Sequence, residues 1–351
     1  MSATVYLKRG LMPKPSRKVV VMSTLCVCLA AIGIAWMVMN NQGEANHQPT
    51  NNPKQFNGQH SYNYLKDICK LGPRPSGSEA MAQQRKILKD HFQKLGGHVL
   101  FQDFSRRHPQ TGENVKMRNM VVHWHKERQD RILLCAHYDT RPFPDEDRRN
   151  PKGVFIGAND GASGVALLAE LAHLMPGLNS HYGVDFVLFD AEEFIFDAQR
   201  DRNLYFLGST YFASWYKEQP PKYRYRFGVL LDMVADKNLK IYQEKNSLRY
   251  AKVVVKSIWK TARRLKIREF VHRSRHEIRD DHIPLNKIAK IPTCDIIDFD
   301  YPKIGSRRTS YWHTTKDVPS ACSAQSLGKV GTVIYEWLKT VDKDKTLNRL
   351  R

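Results

Sequence analysis

The chain has 351 residues, which is long enough for one large α/β domain or two small ones around a sizeable core. Hydrophobic residues make up 41% of it and aromatic residues 10%, a composition that excludes an intrinsically disordered protein. The formal net charge of +21 indicates either an acidic partner or simply a basic surface. No zinc-finger, RNP-type or basic-region motif accompanies this charge, so no nucleic-acid partner is expected.

An apolar segment near the N-terminus predicts a membrane anchor. Residues 19–39 carry no charge, and a helix of that length spans about 30 Å, the thickness of a bilayer core. Residues 1–18 contain five basic and no acidic residues, whereas no Lys or Arg follows the apolar segment until Lys54. The positive-inside rule then predicts a cytoplasmic tail at 1–18, a single-pass signal anchor at 19–39, and the rest of the chain outside the cytoplasm. That compartment would be a periplasm, the extracellular space or a secretory lumen. A cleaved signal peptide is the alternative, although its apolar core is normally only about 7–15 residues long.

The remainder predicts a linker followed by one domain. Residues 40–58 are rich in Asn, Gln, Pro and Gly, as in a flexible linker, and 59–351 are expected to form a single domain. Helices are predicted at 61–70, 79–95, 161–174, 207–216, 248–265 and 324–338. Apolar strands are predicted at 120–124, 132–136, 184–189, 227–233 and 291–297. This alternation predicts an α/β fold with a central, mostly parallel mixed sheet covered by helices on both faces.

Acidic and imidazole side chains stand at strand ends, at a helix start and in a late loop. In chain order they are His137, Asp160, Glu192, Glu193, Asp232 and His313. Each alone has a common structural explanation, such as a helix cap or a solvated charge pair. In an α/β sheet, however, the carboxyl ends of the strands gather such residues in one crevice. There they would repel and desolvate one another unless a cation held them, and Asp, Glu and His together suit an open catalytic zinc site.

Six motifs resemble those of the zinc aminopeptidase superfamily, to which the glutaminyl cyclases (glutaminyl-peptide cyclotransferases) belong. They occupy residues 136–140, 157–164, 189–193, 230–234, 280–285 and 312–315. The resemblance covers roughly residues 60–340. Its last two motifs, Asp-Asp-His-Ile-Pro-Leu and Trp-His-Thr-Thr, resemble the cyclase branch and particularly its bacterial-type members.

The resemblance implies an activity and a set of metal ligands. The activity is zinc-dependent cyclisation of an N-terminal glutamine of peptides or proteins to pyroglutamate, with release of ammonia. Asp160, Glu193 and His313 are implied as the ligands of one Zn²⁺ per chain. Glu192 is implied as the general acid and base, because one carboxyl can take a proton from the amine and return it to the leaving nitrogen.

Other motif residues are implied to surround the substrate, and one pair leaves a second activity open. Asp232 and Asp280 would complete the hydrogen-bond network around the substrate amine, and Trp312 would orient the glutamine side chain. His137 and Asp232 are also the positions that hold a second metal in two-zinc aminopeptidases. A metallo-aminopeptidase with one or two zinc ions therefore stays open, as does a non-catalytic binding domain that kept the fold.

Two positions differ from the pattern of the animal cyclases, and two further features of the sequence lie outside the six motifs. No second Trp follows the Glu-Glu pair in residues 194–198, and Asp295 stands where animal cyclases carry a His. Residues 145–152 are expected to form a solvated loop near the mouth of the site. The six cysteines lack C-x-x-C spacing, which indicates neither a disulfide framework nor a structural zinc site, although one bridge stays possible.

Overall fold

Residues 55–300, 310–344 and 347 are described by a computed structural model. The predicted tail and anchor, and residues 40–54 of the predicted linker, lie outside these described residues. Within the described part of the chain, no helix is both long enough and apolar enough to cross a bilayer. The four cysteines in this part, Cys69, Cys135, Cys294 and Cys322, are buried and free.

The described helices and strands follow one another in the alternating order that the sequence predicts. The helices are α1 (Gly58–Cys69), α2 (Glu79–Lys94), α3 (Ser163–Leu171), α4 (Leu207–Glu218), α5 (Lys245–Tyr250), α6 (Lys252–Arg264), α7 (His282–Lys287) and α8 (Ala324–Thr340). The strands are β1 (His98–Arg107), β2 (Asn114–Trp124), β3 (Asp130–His137), β4 (Gly183–Phe189), β5 (Arg224–Asp232), β6 (Ile241–Gln243), β7 (Phe270–Ser274) and β8 (Thr293–Ile297). Single 3₁₀ turns occupy Ala172–Leu174, Pro319–Ala321 and Val341–Lys343.

Six strands form a mixed sheet in the order β1-β2-β4-β3-β5-β8. Strands β4, β3, β5 and β8 are mutually parallel, whereas β2 pairs antiparallel with β4 and β1 antiparallel with β2. Every residue of β4 and β8 is buried, which explains why these strands read as continuous apolar runs instead of alternating patterns. The predicted α/β domain with a mixed central sheet is confirmed.

Alternate residues of the central strands pack on opposite faces of the sheet. Leu134 and Phe186 belong to a large core shared with α1, α2, α3, α6 and α8. Cys135 and Val187, one position further along, belong to a second core that includes Phe212 of α4. Because side chains alternate along a strand, these two cores show that helices cover both faces of the central strands.

The chain joins this core before the predicted end of the linker. Asn57 caps α1 by accepting hydrogen bonds from the backbone N–H groups of Gln59 and His60. The ring of Phe56 packs so closely on Gly331 of α8 that a Cβ at Gly331 would lie 2.3 Å from it. Residues 56–58 are therefore part of the packed domain.

Candidate metal centre

The carboxyl edge of the parallel strands carries the predicted site residues. His137 ends β3, Glu192 and Glu193 follow β4, Asp232 ends β5, Asp160 precedes α3, Asp280 precedes α7, and Trp312 and His313 precede α8. Seven of these eight line one cavity of about 290 Å³, and the eighth, His137, lies within ion-pair distance of three of the seven. The fold therefore brings together residues that span almost 180 positions of the chain.

The first ligand cluster consists of Asp160, Glu193 and His313. His313 Nε2 lies 2.7 Å from Glu193 Oε1 and 3.3 Å from Asp160 Oδ2, and one ligand atom from each residue lies within 4.8 Å of the other two. All three side chains are buried yet border the cavity. One imidazole nitrogen and two carboxylates, with an open side toward a cavity, fit a catalytic zinc ion. These three residues would hold it.

The second ligand cluster consists of His137, Asp160 and Asp232. His137 Nε2 lies 3.2 Å from Asp160 Oδ1 and 3.2 Å from Asp232 Oδ1. These ligand atoms also lie within 4.8 Å of one another. Asp160 thus belongs to both clusters, with Oδ1 toward His137 and Oδ2 toward His313.

Two buried carboxylates that sequence reasoning gave no role hold the ligand loops. Asp139 accepts the backbone N–H groups of both Glu192 and Glu193, each at 3.1 Å. Asp317 accepts the backbone N–H groups of Asn159 and Asp160 at 2.8 and 3.1 Å. The position of Asp139 two residues after His137 at a strand end could have suggested its role, whereas Asp317 has no comparable sequence signal.

Four of the eight non-glycine residues with positive φ in the described part of the chain lie at or beside the cavity. Ala191, Phe206, Met233 and His313 all have φ between 48° and 59°, a region that non-glycine residues rarely occupy. Ala191 precedes Glu192, Met233 follows Asp232, and Phe206 lines the cavity. Such conformations typically persist where surrounding contacts fix a functional geometry, and here they aim the ends of β4 and β5 into the cavity.

Two carboxyl groups that line the cavity, those of Glu192 and Asp280, have raised pKa values. Burial raises the pKa of Glu192 well above its ordinary value, and the neighbouring Glu193 and Asp280 add to the rise. Burial likewise raises the pKa of Asp280 well above its ordinary value, with Asp232 contributing. Perturbed acids of this kind in a cavity are typical of groups that exchange protons with a substrate. Asp295 in β8 is buried and does not belong to the cavity lining.

The two imidazoles carry raised pKa values for a common reason. Burial lowers the pKa of His313, but the negative charge of Glu193 and hydrogen bonding to Asp160 and Glu193 outweigh it and raise the pKa to about 9. Burial also acts against the charged form of His137, yet its hydrogen bonds with carboxylates raise its pKa well above the ordinary value. Both rings therefore sit where a positive charge is favoured, as expected of a cation site.

Aromatic and apolar side chains wall the cavity. The ring of Trp312 stacks on His313 with 3.8 Å between ring centroids, and Phe299 meets Trp312 edge-on at 5.3 Å. The segment after the Glu-Glu pair does not supply a wall, because Phe194 is buried in a separate apolar cluster. Instead the aromatic lining on the Glu193 side comes from Tyr205 and Phe206.

Comparison with known proteins agrees with this arrangement. The profile of peptidase family M28 matches residues 119–338, which include both ligand clusters. The chain belongs to peptidase family M28. The predicted resemblance to the zinc aminopeptidase superfamily is thereby confirmed, and the family implies zinc as the metal of the site.

Solved structures similar to this M28 protein include cyclases and exopeptidases. A glutaminyl cyclase from Fimbriiglobus ruber is 37% identical, with a TM-score of 0.75 over 82% of this chain and 97% of that one. A Zn-dependent exopeptidase from Parabacteroides distasonis is 31% identical, with a TM-score of 0.74 over 81% of this chain and 98% of that one. The fold is therefore shared by proteins of both descriptions.

A curated relative of this M28 protein is aminopeptidase YwaD from Bacillus subtilis, 24% identical over 82% of this chain. The chain spans 58% of the length of that aminopeptidase. It spans 38% of a second relative, the alkaline phosphatase isozyme conversion protein of Escherichia coli, at 26% identity. Membership of the M28 family thus indicates the fold and the type of metal site. It does not distinguish cyclisation from peptide hydrolysis, which depends on the residues of the cavity.

Proposed function

We propose that this M28 protein is a zinc-dependent glutaminyl cyclase, which converts the N-terminal glutamine of peptides or proteins to pyroglutamate and releases ammonia. The observation that carries the proposal is the position of Glu192, a buried acid with a raised pKa, in the same cavity as the first ligand cluster and Trp312. The 37% identity to a glutaminyl cyclase, over 97% of that chain, supports it.

Zinc bound to the first ligand cluster would supply Lewis-acid polarisation of the γ-amide oxygen. Glu192 takes a proton from the α-amine as that amine attacks the side-chain amide carbon, Cδ. The same carboxyl then returns the proton to the amide nitrogen, Nε2, which leaves as ammonia when the Cδ–Nε2 bond breaks. One residue can serve in both directions if its pKa lies nearer to the working pH than that of an ordinary glutamate, and burial shifts the pKa of Glu192 in that direction.

The other cavity residues orient the substrate. Asp232 and Asp280 line the cavity and can accept hydrogen bonds from the α-amine, while the Trp312 ring forms a flat wall for the glutamine side chain. Because the nucleophile belongs to the substrate, the reaction needs no activated water and depends mainly on holding amine and amide in contact. A small cavity that combines these polar groups with aromatic walls meets that requirement.

The products distinguish this activity from peptide hydrolysis. The full-length protein is incubated with one peptide that begins with Gln and with a matched peptide that begins with Leu, and the product masses and free ammonia are measured. The proposal expects the Gln peptide to lose one ammonia and the Leu peptide to stay intact. Removal of a whole residue from either peptide would overturn it.

Metallo-aminopeptidase activity is the second candidate, and the second ligand cluster favours it. His137, Asp160 and Asp232 have the ligand types and spacing to hold another zinc ion, as two-zinc hydrolysis requires. The relatives described as exopeptidase and aminopeptidase support the same reading. The zinc content of the purified protein separates the cyclase from a two-zinc aminopeptidase, because the cyclase proposal expects one tightly held zinc per chain. The product masses distinguish the cyclase from an aminopeptidase with one zinc.

The place of action is part of the proposal. The uncharged segment at 19–39, with basic residues before it, supports a single-pass anchor that holds the domain outside the cytoplasm, where it would meet peptide N-termini. Extraction of cell membranes at high pH, followed by protease treatment of intact cells or vesicles, tests this. Release of the protein without detergent would contradict the anchor.

A further inference from the structure

An arginine lies directly behind a metal-ligand candidate. The Arg141 side chain is only 3% exposed, and its Nη1 donates to Glu193 Oε1 at 2.8 Å. The backbone N–H of Arg141 donates to the other oxygen of Glu193 at 3.1 Å. Both oxygens of the glutamate are therefore fixed from the side of Arg141, which determines the lone pairs that remain for a cation.

Asp145 fixes the arginine in turn. Its two carboxylate oxygens face Arg141 Nε at 2.7 Å and Nη2 at 2.9 Å, and Nη2 also donates to the Tyr205 hydroxyl at 3.0 Å. Of these two contacts to Asp145, the one from Nη2 is a hydrogen bond and the one at Nε is an ion pair. A hydrogen bond between charged groups is roughly twice as strong as one between neutral groups. Glu193, Arg141 and Asp145 thus form one continuous chain of contacts.

The same Asp145 also faces the histidine of the first ligand cluster. His313 Nε2 points at Glu193 and Asp160, and its other nitrogen, Nδ1, lies 3.6 Å from Asp145 Oδ1. Within the described residues, His313 Nδ1 is buried and makes no hydrogen bond. A metal-binding histidine usually donates its second ring N–H to a carboxylate or carbonyl group, which orients the ring and makes it a stronger ligand.

The backbone around Asp145 is joined to the segment that carries His313. The Glu146 N–H donates to the His313 carbonyl at 3.2 Å, and Asp147 Oδ2 accepts the Thr315 N–H at 3.1 Å and the Thr315 hydroxyl at 2.5 Å. Residues 145–152 form an irregular and mostly exposed loop, as the sequence predicts, and these hydrogen bonds join residues 146 and 147 to the segment that carries His313. Residues 145–147 thus form a strap across the first ligand cluster.

We propose that Asp145 is a positioning residue of the metal centre, orienting His313 directly and Glu193 through Arg141. Its loss would remove the carboxylate that faces His313 Nδ1 and would leave Arg141 paired with Glu193 alone, so that the guanidinium competes with the cation for that carboxylate. Loss of a residue that hydrogen-bonds a metal ligand typically costs about 10–100-fold in metal affinity. The proposal depends on the metal centre of the proposed function, but not on whether the reaction is cyclisation.

Zinc affinity measured by competition with a chromophoric chelator tests the proposal on the full-length protein. Asp145→Asn should weaken zinc binding by about 10-fold and Asp145→Ala by up to about 100-fold. Glu146→Gln is the matched control, because it removes the same charge from the neighbouring position of the strap while keeping the backbone N–H that binds His313. The control should stay within about 2-fold of the parent protein, a change too small to involve a ligand.

A spectroscopic measurement separates orientation of the ligands from general loosening of the fold. With Co²⁺ in place of zinc, the visible absorption bands report ligand geometry, and Asp145→Asn should shift them while Glu146→Gln should not. Should Asp145→Ala fail to fold, the isosteric Asp145→Asn decides the question. Unchanged zinc affinity and unchanged Co²⁺ bands in folded Asp145→Asn would overturn the proposal. A parent protein that binds no zinc would overturn the proposed function as well, whereas weakened zinc binding without cyclisation would overturn the proposed function alone.

Discussion

The two ligand clusters share Asp160 but have opposite electrostatic surroundings. In the first cluster, the buried Arg141 touches Glu193 and supplies a positive charge from the protein itself. The second cluster has no arginine or lysine within ion-pair distance of His137 or Asp232 in the described residues, and His137 instead faces carboxylates on both ring nitrogens. The permanent positive charge of Arg141 thus offsets the negative charge of the carboxylates in the first cluster. In the second cluster only a histidine can offset it.

This difference appears in the pKa values of the two unshared carboxylates. Burial raises the pKa of Glu193, but the charges of His313 and Arg141 outweigh it, so that the pKa falls below its ordinary value. Burial also raises the pKa of Asp232, and there hydrogen bonding to His137 offsets only part of the rise. Because a ligand has to be deprotonated to bind a metal, these directions favour metal binding in the first cluster over the second. They support the single zinc of the proposed function, held by the first cluster.

The largest expected effect is a difference in zinc binding between two single variants, His313→Ala in the first cluster and His137→Ala in the second. His313→Ala removes a proposed ligand and should weaken zinc binding by more than the roughly 10–100-fold that loss of a ligand's hydrogen-bond partner costs. His137→Ala should retain one zinc per chain, since the first cluster stays complete. Metal analysis after dialysis measures both variants. Two tightly held zinc ions in the parent protein, or equal loss in both variants, would contradict the asymmetry.

The next largest effect distinguishes the roles of the adjacent residues Glu192 and Glu193, one in proton transfer and the other in zinc binding. Glu192→Gln should keep zinc and lower kcat for a Gln-initiated peptide by about 10²–10⁴-fold, the usual contribution of general acid–base catalysis. Glu193→Gln should instead lose zinc, because it replaces a ligand that Arg141 holds in the ionised form. Near-normal turnover in Glu192→Gln would show that another group moves the proton.

A smaller effect is expected at the cavity wall. Trp312→Ala removes the ring that stacks on His313 and should raise KM for a Gln-initiated peptide by about 10-fold, equivalent to roughly 1.4 kcal/mol. Trp312→Phe keeps a flat ring and should recover most of that loss. If both variants changed kcat and left KM alone, Trp312 would act on the metal ligand and not on substrate binding.

The central sheet was predictable because its strands are buried on both faces. Continuous apolar runs at 132–136 and 184–189 correspond to β3 and β4 with only small boundary differences. β1 escaped prediction, since it is an edge strand with mostly exposed or half-exposed residues and no clear apolar run. The helix predicted at 248–265 is two helices, α5 and α6, because Ala251 leaves the helical region at φ −135° and ψ 35°.

The site was predictable only where its residues stand in motifs. Glu193 follows a strand end, Asp160 precedes a helix and His313 lies in a loop, and the fold brings all three to one edge of the sheet. The parts that support them could not be predicted in the same way. Arg141 and Asp145 read as ordinary loop residues in the sequence, and their importance lies in contacts across about 50 and 170 positions of the chain.

The smallest expected effect is at a position remote from both clusters. It tests whether a buried carboxylate without a permanent cation beside it destabilises the fold when it ionises. Glu170 in α3 is buried, its Oε1 accepts the Asn57 N–H at 3.2 Å, and its Oε2 lies 3.7 Å from Nδ1 of the half-exposed His60. Burial nevertheless raises the pKa of Glu170 from 4.5 to about 7. The unfolded chain therefore ionises first as the pH rises, so stability falls between about pH 4.5 and 7 and stays low above that. Glu170→Gln keeps the acceptor for Asn57 but cannot ionise. The Glu170→Gln variant should melt at the same temperature as the parent protein near pH 4.5 and at a higher temperature at pH 8. The difference at pH 8 should correspond to on the order of 1 kcal/mol in the free energy of unfolding. An equal difference at both pH values would indicate a packing effect and not an effect of ionisation.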